Sequence, residues 1–157
     1  MKQDKFLTGI LIGIGVLVLL ALGLFFTRQD KREYLADTTP DGVVHNYVLA
    51  ILEDDYEKAY GYLADLENKP TYEDFRQSFF NGSVNPQNSG VDVGTAEING
   101  DEATVTVTVF FSTNDPFSSG YQTEDRALLV LQNGDWKISA MPYNYWSYNW
   151  YQEPFKP

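Results

Sequence analysis

The run "FLTGILIGIGVLVLLALGLFF", Phe6 to Phe26, holds one Thr and no charge in twenty-one residues. At 1.5 Å per helical residue it covers about 30 Å, the thickness of a bilayer's hydrocarbon core. A cleaved signal peptide competes with this reading, because Ala21-Leu22-Gly23 offers small residues at a peptidase spacing. The apolar run continues through Leu24, Phe25 and Phe26, and no polar stretch precedes the cut, so a retained transmembrane helix over residues 6–26 is expected.

Charge bears on orientation and on partners. Lys2 and Lys5 precede the span and Arg28, Lys31 and Arg32 follow it, which is close to a tie for the positive-inside rule. From Asp41 onward, however, eighteen Asp and Glu face six Lys and Arg. Such a body repels phosphate backbones and anionic headgroups, which argues against a nucleic-acid partner. The expected topology is a short tail inside and an acidic domain on the extracytoplasmic side of a cell membrane. The chain has no Cys, so it forms no disulfide and carries no Cys-linked lipid, a pattern that fits either compartment.

The chain then divides into a short tail (residues 1–5), the span (6–26), a polar linker (27–37) and one domain (38–157) that ends in an aromatic tail (141–157). Thr39-Pro40 is a helix start, a capping hydroxyl followed by a residue whose missing N–H costs nothing at the first helical position. Val44, Tyr47, Val48 and Ile51 follow at i, i+3, i+4 and i+7. Asp54 or Asp55 caps a second helix with Tyr56, Ala59, Tyr60 and Leu63 on one face, and Thr71 with Asp74 opens a third that turns Tyr72, Phe75 and Phe79 together. After "NGSVNPQNSG" the period becomes two. In "DEATVTVTVFFS" Ala103, Val105, Val107, Val109 and Phe111 alternate with Glu102, Thr104, Thr106, Thr108 and Phe110, the mark of a strand with one buried face. "YQTEDRALLVLQ" is continuously apolar from Ala127 to Leu131, which predicts a central strand covered on both sides. Asn99-Gly100 and Asn133-Gly134 read as tight hairpin turns, the first joining "VDVGTAEI" to the alternating strand and the second joining "LLVLQ" to "DWKISA". Three helices and a four-stranded antiparallel meander make an α+β layer.

"TTPDGVVHNYVLAILEDDYEKAYGYL", "TYEDFRQSF" and the strand pair ending "LVLQNGDWKISAM" resemble the nuclear transport factor 2-like superfamily, a cystatin-like α+β fold. Within it they look like bacterial members held behind a lipoprotein signal or a membrane anchor. The resemblance runs from about residue 38 to residue 141, with "DYEKAY" and "NGDWKI" as its marks. It implies a curved sheet wrapped around helices into a cone whose mouth takes a small apolar molecule. Enzymes of the superfamily, such as ketosteroid isomerase, place acid-base groups inside that cone.

Few residues here suit such chemistry. His45, the only histidine, sits beside an apolar stripe with no acid placed to orient it, the usual setting of a structural residue. Asp125 shares a strand face with Ala127, Leu129 and Leu131 and could turn inward, although strand-end carboxylates ordinarily face water. The oxygens of "DDYE" and "NDPFSSG" lack the spacing of a calcium loop, so no metal and no cofactor are expected. Asn81-Gly82-Ser83 reads as a turn rather than a glycosylation site, and Gly9 with Gly13 offers a close-packing pair that leaves a homodimer open.

Met141 to Pro157 carries seven aromatic rings in seventeen residues. They can form a flap packed over the sheet or the cone mouth, a recognition surface, or a contact with lipid headgroups. The candidate ligand-binding set is Tyr47, Tyr60, Phe75, Phe79, Phe111, Trp136, Trp146 and Trp150. No catalytic residue is assigned. The expected function is a membrane-anchored, non-catalytic binding domain for a small apolar ligand or a protein partner. A scaffold subunit of an envelope complex such as a type IV secretion-like system is the alternative, and a ketosteroid isomerase-like enzyme comes third.

Overall fold

A computed structural model describes residues 5–27, 33–87, 89–111 and 120–152. Most of the amino-terminal tail, linker residues 28–32, most of the "NDPFSSG" loop and the last five residues lie outside that set. The chain forms two units that meet between Glu33 and Tyr34. The first holds one helix, α1 (Lys5–Thr27), within which Leu7–Leu24 is long and apolar enough to cross a membrane.

The second unit is the α+β layer: helices α2 (Pro40–Leu52), α3 (Tyr56–Gly61) and α4 (Tyr72–Phe80), then strands β1 (Ser89–Asn99), β2 (Glu102–Phe111), β3 (Tyr121–Gln132) and β4 (Asp135–Ala140). The strands pair antiparallel in the order β1-β2-β3-β4. Each helix starts where its capping residue lies. Thr39 Oγ1 accepts the Gly42 N–H at 3.2 Å, Asp55 accepts the Lys58 N–H at 3.2 Å, and Thr71 accepts the Asp74 N–H at 3.2 Å. Helix α2 lies on the sheet against β1, β2 and β4, α3 packs on α2, and α4 packs on α3. The α2 residues Val44, Tyr47, Val48 and Ile51 meet Ala103, Val105, Val107 and Val109 of β2 and Ala127 and Leu129 of β3 in one core.

The second hairpin turns at Asn133 and Gly134, both at positive φ. The first turns one residue later than its sequence suggests. Asn99 still pairs with Glu102, so Gly100 and Asp101 form the turn. Strand β1 carries an extra residue between Val93 and Ala96. Gly94 sits at that bulge, where a Cβ would come within 3.1 Å of the Thr106 carbonyl oxygen.

Two expectations change. Strand β3 is interior to the sheet but covered on one face only, since Ala127 and Leu129 are buried while Leu128 between them is 45% exposed. The helices α2 to α4 lie on one side of a four-stranded sheet, and among the described residues no layer covers the other. A second change concerns the linker, whose residues 34–37 belong to the folded unit. Asn46, 1% exposed in the midst of α2, accepts the Leu35 N–H at 2.7 Å and donates to the Leu35 carbonyl at 2.8 Å and to the Asp37 carboxylate. Tyr62 donates its hydroxyl to the same carboxylate at 3.1 Å, and burial together with the Asp37 charge pushes its pKa up to about 12. Tyr34 donates to Glu53 at 2.7 Å with the Lys58 ammonium 3.0 Å from its ring centre. Gly42 makes room for this return of the chain, because a Cβ there would strike the Ala36 carbonyl oxygen.

The edge of β4 is also occupied. Ile138 donates to the Tyr62 carbonyl at 2.8 Å and accepts from the Ala64 N–H at 2.8 Å, so the segment after α3 caps the sheet.

A domain fragment beginning at residue 38 removes both partners of Asn46. It is expected to be less stable than one beginning at residue 33 by about 1–3 kcal/mol. Urea unfolding followed by circular dichroism measures the difference, and equal midpoints would show that residues 33–37 contribute nothing.

Candidate functional site

The chain after β4 returns to the helices. Pro142 starts a 3-10 turn, Tyr143–Tyr145, whose last residue is wholly buried, and the Tyr145 carbonyl accepts the hydroxyl of buried Tyr47 at 2.8 Å. Burial holds the Tyr47 pKa well above its ordinary value, so the hydroxyl stays a donor. Beyond it, Trp146 and Trp150 meet edge-on at 4.9 Å, and Trp150 packs on Phe75 of α4 at 4.8 Å. The Trp150 indole N–H donates to Ser78 Oγ at 3.2 Å, which satisfies the one polar atom of the ring where water is excluded. Tyr151 stacks on Trp146 at 5.7 Å and donates its hydroxyl to the Ala64 carbonyl at 2.6 Å.

Of the eight candidate aromatics, six form one contiguous cluster: Tyr47, Tyr60, Phe75, Phe79, Trp146 and Trp150. They contact each other, which is the packed-flap reading of the tail. Trp136 enters the same core from β4. Phe111, at the end of β2, is partly buried at the margin of that core and stacks on Tyr121 at 4.5 Å. Two tail rings, Tyr143 and Tyr148, are 69% and 85% exposed and take no part in the closure. His45 is half-buried on α2. Asp125 lies opposite Val107 in the register, on the inner face as its parity requires, yet it is exposed and accepts the Arg126 N–H at 2.8 Å. Among the described residues no three of His, Cys, Asp and Glu converge to hold a metal.

Several clefts lie around the cluster. A cleft of about 480 Å³ lies along the junction of α4 and residues 147–152 and is lined by Asn68, Lys69, Thr71, Asp74, Gln77, Asn81, Asn149, Trp150 and Gln152 among others. A second, of about 350 Å³, lies between Leu52, Tyr56, Phe79, Phe80 and Pro86. A third, of about 670 Å³, opens beside Gly90, Phe110, Phe111 and Tyr121. Sequence reading found the rings and missed the first cleft's amides. Their signal was the density of Asn and Gln in "QSFFNGSVNPQN" and in "YNYWSYNWYQ".

No family model and no curated protein matches the chain. In three dimensions it is similar to a SEC-C motif containing protein from Rhodopseudomonas palustris (TM-score 0.49, 14% identity, covering 68% of this chain and 79% of that one). It is also similar to a protein of unknown function with a cystatin-like fold from Nostoc punctiforme (TM-score 0.44, 16% identity, 61% and 80%). A third is a candidate NTF2-like transpeptidase from Campylobacter jejuni (TM-score 0.41, 14% identity, 64% and 96%). The α+β assignment rests on the strand order and helix packing of the chain itself.

Replacing Trp150 by Ala is expected to cost about 3–5 kcal/mol, the range for emptying a buried indole site. Tyr148→Ala, at an exposed ring, is expected to stay within about 0.5 kcal/mol of the parent. Chemical denaturation of both variants checks the contrast, and a mild Trp150→Ala would mean that the tail is a loose cover.

Proposed function

We propose that this chain is a membrane-tethered binding domain: α1 anchors it, its acidic α+β unit faces the extracytoplasmic side, and it engages a ligand or a protein partner without catalysing a reaction. The observation that carries this reading is the closure of the interior by the chain's own Trp146 and Trp150. An apolar guest inside the sheet and helices would have to part Trp150 from Phe75 and break its bond to Ser78. Recognition at the surface clefts needs no such rearrangement, and the cleft between α4 and the tail has the volume of a small-molecule site. The excess of acidic side chains from Asp41 onward supports partners that are not phosphate-rich.

Protease treatment of intact cells expressing the chain with a C-terminal epitope tests the topology. The reading expects loss of the epitope from outside and retention of the remnant in the membrane after an alkaline wash. An epitope cut only after the cells are lysed would reverse the orientation.

A further inference from the structure

Resting on that reading, we propose that the outer edge of β1 is a strand-addition site for a basic, extended segment of a partner protein. The two edges of the sheet are not alike. At β4 the Tyr62 carbonyl and the Ala64 N–H bond to Ile138 and close the edge. At β1 the backbone of residues 90–99 pairs with β2 alone among the described residues. Pairing on one side engages only part of a strand's N–H and C=O groups, and the remainder of this row points away from the sheet. The strand is eleven residues long and holds no Pro and no Lys, the residues that most often block such a row.

The side chains of β1 state what an added strand must carry. The bulge at Gly94 keeps Val91, Val93, Ala96 and Ile98 on the inner face, where their β2 partners are at most 4% exposed. Val91, Val93 and Ala96 are themselves only half-buried, and Ile98 is 58% exposed. The core therefore runs out at this edge, and apolar side chains on one face of an incoming strand would extend it. On the opposite face Asp92 and Glu97 are exposed. Helix α2, β1 and β2, the three elements around the edge, contain no Lys and no Arg, so this acidic row has no base of its own beside it. The start of α2 supplies a second wall. A groove of about 390 Å³ lies between residues 38–41 and Gly94, Thr95, Ala96 and Ile98 of β1, and Asp41 adds a third carboxylate to it. An extended segment laid against such an edge gains main-chain hydrogen bonds, and its alternate side chains are read by the two faces.

A second copy of this chain fits less well. Pairing β1 with its own image sets one acidic row beside another, and like charges across neighbouring strands are destabilising. The same charges favour a strand that carries lysine or arginine at alternate positions.

Full-length protein in a non-ionic detergent is titrated with three capped heptapeptides, one alternating lysine with valine, one lysine with proline and one glutamate with valine, and binding is followed by calorimetry. The lysine-proline peptide matches the first in charge but lacks an N–H at every proline, so it separates strand addition from the attraction of unlike charges. The expected result is saturable binding of the lysine-valine peptide, about tenfold or more weaker for the lysine-proline peptide and in the variant Asp92→Lys/Glu97→Lys. Both side chains are exposed, so the variant should melt with the parent, and it should take the glutamate-valine peptide instead. Bound lysine-valine peptide should also slow hydrogen exchange of the β1 amides. Equal binding of the two lysine peptides, failure to saturate, or an unaltered variant overturns the proposal. So does a dimer of the free protein that the lysine-valine peptide dissociates, which would give the edge to a second copy. Each of these failures leaves the tethered domain standing, since its orientation is read separately by protease treatment of cells.

Discussion

Helix α4 and the segment after β4 are separate in sequence, and the Trp150 indole is where they become one structure. Its ring packs on Phe75 and Trp146, and its N–H has a partner in Ser78, seventy-two residues away. Remove that ring and α4 is held chiefly by α3, since the sheet is covered by α2 rather than by α4. Aromatic pairs at such distances add about 0.5–1.5 kcal/mol each beyond the area they bury. The cluster is therefore the joint between the helical layer and the end of the chain. The position of Asn149 and Gln152 opposite Gln77 and Asn81, and with it the shape of the amide-lined cleft, follows from that joint.

The other end of the domain is fastened by different physics. Where the tail is held by rings, residues 34–37 are held by polar groups, with Asn46 at the centre. A buried carboxamide is tolerated in an apolar helix only if its hydrogen bonds are made, and here the Leu35 peptide groups and the Asp37 carboxylate make them. The domain thus begins at a fixed point instead of fraying, and Gly42 is the residue that lets the backbone of Ala36 come close.

Much of this was legible in the residues. Thr39-Pro40 and Thr71 start helices because a hydroxyl cap and a proline leave few alternatives, and the alternation from Ala103 to Val109 admits only a half-buried strand. Asn133-Gly134 adopts the turn its two positive φ angles demand. The errors have causes too. "ALLVL" looks buried on both faces because composition does not say which side the helices take, and Leu128 is left in water. Asp125 has the parity of an inward residue, but parity fixes a face and not how far cover extends along it. Asn46 reads as one polar residue in a stripe, since its partners lie nine and eleven positions back in a segment with no periodicity. The tail rings declared that something aromatic would happen. Which of them would be core, Trp146 and Trp150, and which would face water, Tyr143 and Tyr148, depends on contacts with α4 that no local pattern encodes.

Hydrogen exchange of the indole N–H groups, read by NMR on the full-length protein in detergent, tests most directly whether the tail is part of the core. The Trp150 signal should exchange only with global unfolding, alongside the core amides of β2, because its N–H is bonded to Ser78 and out of contact with water. Exchange of Trp150 at the rate of an open indole, while the β2 amides stay protected, would contradict the account: the tail would then be a mobile flap over an interior that something else fills.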